Sequence, residues 1–410
     1  MIKKWLILNR LKPDVLNYRK YLQSDYLIII IPSYLSEYDF SDYDEVYKLD
    51  NFDKTLELDI LAKNICNDLV ISGVIAMHER DLIRADILRR YCSDNKYSLN
   101  GFSLIFRNKY YMKKWLTERN INVPSFCYPQ HPQDLLSFIE DTTFPIVVKP
   151  VCGSSSIGIK KLESIQDVEC FYQNYLEKDV GFLPDSGVPF IFEDWIEEGN
   201  LLHADGIIDN NKLDMLYVSE YFQGCNAYRE GSYTGSYLLT QKDSRFKKIL
   251  KIMIKVAENL SNTSYIFHAE FFADKDDISV CEIALRPAGA LVPDMIMLKS
   301  GVDLRERYLL LQIGSYTSNN SFYDKKELFS WIAIPKPINK KILKKSPTQP
   351  PFSYVHNWDC QINDVGQEYI ASTKTFDYAV SIIFTGKSKD DIFKHLEEIL
   401  SWVSKEIEWE

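Results

Sequence analysis

Short apolar runs alternating with helical stripes open the chain. Trp5–Leu8, Leu27–Ile31 and Leu69–Ala76 are apolar runs of strand length, while Pro13–Leu22, Thr55–Ile65 and Asp81–Tyr91 carry apolar residues at helical spacing. Strands alternating with helices predict a parallel sheet with crossover helices over the first hundred residues. No Gly-x-Gly-x-x-Gly follows the first run, so nothing marks a dinucleotide site there.

A second section begins near Gly101. Lys109–Arg119 reads as a helix, closed by Asn120-Ile121-Asn122 and Val123-Pro124. Pro145–Lys149 reads as a strand and 153–158 as a loop. Ser164-Ile165-Gln166-Asp167 is a capping-box start for a helix through Tyr172. Pro189–Ile196, Leu201–Ile208 and Leu213–Phe222 read as strands, the last two joined by a turn at Asp209-Asn210-Asn211-Lys212. Gly224 to Tyr237 reads as an aromatic loop and Asp243–Asn259 as a helix. The last hundred residues read as mostly β after a proline-punctuated start. Ala379–Thr385 is a strand there, and a helix capped at Ser388 carries Ile392, Leu396, Ile399, Leu400 and Val403 on one stripe.

The most informative pattern lies between these parts. Tyr265–Phe272 and Ile278–Leu285 read as two strands joined through Asp274-Lys275-Asp276-Asp277. If the turn centres on Asp276, Glu270 stands opposite Glu282. Alternation then puts Phe267, Ala269, Phe271, Cys281, Ile283 and Leu285 on one face. His268, Glu270, Glu282 and Arg286 fall on the other. Like charges directly opposed are destabilising, so Glu282→Gln relieves repulsion unless something compensates it. A bound divalent cation is one such compensation, because hard cations take oxygen ligands. A solvated face with ordinary charges is the other reading of the same pattern.

Composition narrows the classes. The 410 residues suit two or three domains. Lys plus Arg total 48 against 58 Asp plus Glu, a net charge of −10, which speaks against a non-specific nucleic-acid binder. Lys3-Lys4 precedes only Trp5-Leu6-Ile7-Leu8, too short for an export signal, and no apolar run spans a bilayer. The eight cysteines form no Cys-x-x-Cys pair, and the six histidines have no zinc-site spacing. A cytoplasmic protein with free thiols is expected, with no membrane and no nucleic-acid partner.

Ahead of the hairpin, the Pro145–Lys149 strand runs into Gly153-Ser154-Ser155-Ser156-Ile157-Gly158. Such a loop can aim backbone N–H groups and hydroxyls at an anion, and Lys149 can add a point charge. It is not a Walker A loop, since Ile159-Lys160 stands where Gly-Lys-Ser/Thr is needed. A plain flexible turn is the alternative.

Taken in order, these segments resemble the ATP-grasp superfamily of ATP-dependent carboxylate–amine ligases. Arg107-Asn108-Lys109 with Met112 looks like its leading helix. Phe144–Ile159 looks like its lysine strand and glycine-rich flap. Phe192-Glu193-Asp194-Trp195-Ile196 with Gly199, His203 and Asp205 is similar to its adenine hinge and following strand. Phe267–Phe272 and Cys281–Gly289 look like its metal strands and catalytic arginine. The flanks fit the branch containing biotin carboxylase and bacterial L-amino-acid ligases. The resemblance implies an α/β fold: a Rossmann-like domain over 1–100, an ATP-grasp domain over 101–315 with a mobile lid at about 140–197, and a β-rich C-terminal domain over 316–410, α+β in character.

It also implies a reaction and a site. A carboxylate attacks the γ-phosphorus of ATP to give an acyl phosphate and ADP, and an amine then displaces phosphate. Glu270 and Glu282 would bind Mg²⁺, or Mn²⁺ in its place. Arg286 and Lys149 would be catalytic. Lys109, Lys149, Gly153, Ser154, Ser155, Ser156, Ile157, Gly158, Glu193, Asp194, Trp195, Ile196 and His203 would contact the nucleotide. Tyr233, Arg229, His268 and Gly289 are substrate candidates. The sequence departs from the family at Ala284, where many members carry an Asn ligand, which leaves the second cation's ligand set open. The expected partners are small carboxylate and amine substrates, an amino acid among them, with a homodimer compatible. A carrier protein or peptide as acceptor, bicarbonate carboxylation, and an ATP-binding module without catalysis are the competing readings.

Overall fold

The computed structural model describes residues 2–409 except 53–55, 95–96, 98, 100, 154–156, 178–189, 197–200, 225–227, 229–230, 261–263, 275–276, 319–323, 337, 346–348, 363–364, 367 and 370–377. Three apolar runs and one mixed edge strand build the first sheet, in the order Glu45–Leu49, Tyr26–Pro32, Lys4–Leu8, Gly73–Ala76, with every pair parallel. Its central strands are buried on both faces, which explains why Leu27–Ile31 shows no polar alternation. Helices Glu57–Asp68 and Leu82–Leu88 cover one face. The Glu45–Leu49 edge strand was hidden by its charged, half-exposed sequence. The helix expected over Pro13–Leu22 is instead a single 3₁₀ turn, Tyr18–Lys20. There Asn17 caps the turn, its side chain accepting from the Lys20 N–H.

A small antiparallel sheet follows in the order Phe126–Cys127, Phe190–Asp194, Ile146–Pro150, Lys160–Leu162. Helices Pro132–Asp141 and Ile165–Glu177 carry Leu135, Val168, Phe171 and Tyr172 onto its apolar face.

The largest sheet has eight antiparallel strands: Asp277–Ala284, Tyr265–Asp274, Leu201–Asp209, Lys212–Tyr221, Thr234–Leu238, Leu328–Pro335, Tyr378–Gly386 and Val355–Cys360. Part of the stretch read as an aromatic loop is thus the Thr234–Leu238 strand. The final helix, Lys389–Glu406, starts at Ser388, whose side chain accepts from the Asp391 N–H, and packs on Tyr378–Gly386. Helix Leu304–Gln312 joins this part to the first sheet: Ala76 N–H, on the edge strand, donates to Gln312 Oε1 at 2.9 Å.

The carboxylate hairpin reaches the expected pairing by an unexpected route. Asp274 pairs with Asp277, a tighter turn than one centred on Asp276, and a bulge between Glu270 and Phe271 restores the register. Glu270 then faces Glu282 and His268 faces Ala284, while Phe271 faces Val280. Cys281 is the extra residue. It was expected on the apolar face, but Val280 takes that place and Cys281 lines the cleft.

Candidate active site

A cleft of about 500 Å³ lies where the three sheets meet. The helix Lys109–Thr117 sets one wall. Asn108 caps it by accepting from the N–H groups of Tyr110 and Tyr111. Its first turn also holds the start of the Gly/Ser loop: Lys109 N–H donates to Val151 O at 2.8 Å, and Lys109 Nζ and Arg107 both donate to Gly153 O. Ile157 lines the cleft, and Gly158 adopts a left-handed φ of 77° that favours glycine. Ser154, Ser155 and Ser156 lie outside the described residues.

Across the small sheet, Lys149 and Glu193 pair at 2.7 Å, and Lys113 reaches the same carboxylate oxygen at 3.2 Å. All three are buried. Burial alone would raise the Glu193 pKa, but the two ammonium groups hold it below the ordinary value. Burial lowers Lys113 more than Glu193 raises it, whereas for Lys149 burial is overcome by Glu193 together with Cys281 and Glu282, and its pKa is raised. Glu193→Gln strands two buried cations, and breaking a buried pair costs about 3–5 kcal/mol. The expected result is a clearly lowered urea midpoint; an unchanged midpoint would show that the lysines do not depend on this carboxylate. Since the folded pKa is depressed, this contribution is complete above the ordinary glutamate range and is lost as pH falls below it.

The facing carboxylates form the floor. Lys109 Nζ sits 2.9 Å from Glu282. Glu270 lies 3.6 Å from His268 Nε2 and accepts from Tyr221 at 3.4 Å. Burial opposes ionisation of Glu270, yet His268, His203 and Lys109 keep its pKa below the ordinary value. Burial also opposes a charged His268, but Asp205 and then Glu270 push its pKa up to about 10. Beside them the Cys281 thiol is pushed up to about 12, chiefly by burial, so it is no thiolate nucleophile at neutral pH. Two facing carboxylates on adjacent strands form an oxygen donor set that suits a hard divalent cation.

At the far end Arg286 is held by Glu79, with Nε 2.7 Å from its carboxylate and Nη2 on the same oxygen. Glu79 Oε1 is buried and makes no hydrogen bond among the described residues. Burial would raise Glu79, but Arg286 and Arg107 hold it far below the carboxylate range.

The cleft collects Lys109, Lys149, Gly153, Ile157, Glu193, Asp194, Trp195, Ile196, His268, Glu270, Glu282, Arg286 and Gly289. Two candidates are corrected. His203 does not line it: the ring is fully buried, Nδ1 is 2.6 Å from Asp205 and Nε2 is 2.8 Å from Ser236, so neither nitrogen is available to a nucleotide. Tyr233 turns away onto Phe222, and Tyr228 and Thr234 line the cleft in its place. Arg229 lies outside the described residues.

Several lining residues were not anticipated, among them Leu11, His78, Glu79, Arg80 and Trp331. The first four follow the carboxyl ends of Lys4–Leu8 and Gly73–Ala76. Those strands flank the point where the strand order reverses, and ligands bind in such crevices. The strand pattern alone could have pointed to them.

Comparison with known proteins agrees with this architecture. Residues 142–294 match the family profile of the ATP-grasp domain. The chain is 24% identical over 277 residues to an L-arginine-specific L-amino acid ligase of Bacillus subtilis, covering 66% of this chain and 64% of that relative, slightly under two thirds of its length. The L-amino acid ligase of Bacillus licheniformis superposes with a TM-score of 0.71 at 15% identity, over 100% of this chain and 98% of that one. The biotin carboxylase domain of a 2-oxoglutarate carboxylase from Hydrogenobacter thermophilus, solved as a dimer with MgADP and bicarbonate, gives 0.68 at 12%, over 100% and 91%. The chain therefore carries an ATP-grasp domain and has the ATP-grasp fold.

Proposed function

We propose that this protein is an ATP-dependent carboxylate–amine ligase that activates an amino acid as an acyl phosphate and joins it to an amine, releasing ADP and phosphate. The observation that carries the reading is the charge layout of one cleft, with paired Glu270 and Glu282 surrounded by Lys109, Lys149 and Arg286 in a chain of net charge −10. Opposite unit charges about 4 Å apart gain roughly 4 kcal/mol at an effective dielectric near 20. Concentrating cations there makes sense if polyphosphate and a developing acyl phosphate must be held. The ATP-grasp fold and the ligase relatives support the same reading.

Each side chain then has a task. Lys109 and Lys149 hold phosphate oxygens, and Asp194, Trp195 and Ile196 border the adenine through the hinge backbone. Arg286 offers its guanidinium to the substrate carboxylate and the acyl phosphate, in exchange for Glu79. Glu270 and Glu282 would hold Mg²⁺, which supplies charge neutralisation on the phosphates. Phosphoryl transfer is chiefly positioning and electrostatic stabilisation, so no side-chain nucleophile is required. The substrates are small molecules, and no helix among the described residues is long and apolar enough to cross a membrane. Screening amino acids in pairs with Mg-ATP tests the reading: a pair that releases phosphate and yields a dehydrated product mass supports it, and phosphate release with no condensed product for any pair contradicts it.

A further inference from the structure

We propose that His268 is a nitrogen ligand of the divalent cation assigned above to Glu270 and Glu282, oriented by a buried chain through Asp205, His203, Ser236 and Trp331. The inference rests on that reading of the two glutamates and adds a third donor to it.

The chain has a defined direction. Trp331 Nε1 can only donate, and it reaches Ser236 Oγ at 2.8 Å. Ser236 is fully buried, and the same Oγ lies 2.8 Å from His203 Nε2. The Asp205 carboxylate can only accept, so His203 Nδ1 donates to its Oδ2 at 2.6 Å. The other oxygen, Oδ1, accepts from His268 Nδ1 at 2.8 Å. With Nδ1 so held, the Nε2 edge of His268 points at Glu270 and the cleft. A carboxylate on one imidazole nitrogen and a metal on the other is the usual arrangement of a ligating histidine.

The separation of two of the three donors is compatible with one coordination shell. His268 Nε2 and Glu270 Oε1 are 3.6 Å apart, too far for a good hydrogen bond. Ligands about 2.1 Å from one ion stand roughly 3 Å apart at a right angle, and farther when the angle opens. Directly opposite His268 stands Ala284, two residues beyond Glu282, and its methyl group offers no donor. His268 thus fills from the facing strand the position that residue 284 leaves without a ligand atom. His203, Asp205 and His268 cluster behind it, tied to one another through the two Asp205 oxygens.

An imidazole donor favours Mn²⁺ and later first-row ions over Mg²⁺. The test is pulsed electron paramagnetic resonance of Mn²⁺ bound with ADP to uniformly ¹⁵N-labelled protein, the label separating protein nitrogen from adenine. The expected result is a ¹⁵N coupling of a directly bound imidazole in the wild type, absent in His268→Gln. Mn²⁺ affinity should fall about 10–100-fold in Asp205→Asn, the usual cost of removing a histidine's supporting partner. His268→Gln should lower Mn²⁺ affinity at least as much and leave Mg²⁺ affinity nearly unchanged. Bound Mn²⁺ with no protein nitrogen coupling would overturn the histidine ligand and leave the glutamates' role standing. Failure of Mn²⁺ to bind at all with ADP would overturn both.

Discussion

Glu282→Gln is expected to lower ligation about 10³-fold or more while leaving the fold intact. The magnitude follows from the several kcal/mol that a bound cation contributes to transition-state charge stabilisation, since about 4 kcal/mol is 10³ in rate. The fold should survive because Glu282 is a partly exposed cleft residue. Opposition to Glu270 alone predicts that the variant gains thermal stability. The structure argues otherwise: Lys109 already lies on Glu282 and His268 beside Glu270, so the repulsion is largely compensated without a cation. A melting temperature within a degree or two of wild type is expected, with loss of the Mg²⁺ dependence of nucleotide binding. A variant that unfolds, or one that keeps full activity, would contradict this assignment.

Lys149→Ala is expected to cost on the order of 10²–10³ in rate, the scale for losing one preorganised charge-stabilising donor. Lys149 is buried at the end of the small sheet's central strand and is fixed by Glu193, so it meets its ligand with little reorganisation. Lys113 remains on Glu193 in the variant, so that carboxylate keeps a counter-ion. Stability should therefore suffer less than in Glu193→Gln, whereas activity should suffer strongly. Comparing kcat and urea midpoints of the two variants separates the roles. Equal losses of stability with little change in kcat would make Lys149 a structural cation only.

The parts of this site written in local pattern were legible in the sequence. Alternation along Tyr265–Phe272 and Ile278–Leu285 brought Glu270 opposite Glu282, although the turn was placed half a residue off. The bulge at Cys281 compensated for that offset. Bulges leave no periodic signature, so the thiol's position beside the cleft could not be read. His203 was misread because a histidine on a strand next to an aspartate looks like a ligand-facing pair. Its burial depends on Ser236 and Trp331, which come from strands 33 and 128 residues away in the chain. Tyr233 failed for a related reason: the aromatic loop contains a strand, and packing on Phe222 decides which of its side chains turn inward. Glu79 came from a different sheet altogether, and its link to Arg286 spans 207 residues. Strand order, not residue type, is what marks that position.

The proposed reaction couples ATP cleavage at the γ-phosphorus to condensation of a carboxylate with an amine in one cleft. The most direct measurement is the nucleotide stoichiometry of turnover, by chromatography of the products formed with Mg-ATP and an active substrate pair. One ADP and one phosphate per condensed product, with no AMP, is the predicted result. AMP and pyrophosphate appearing in step with product would contradict it.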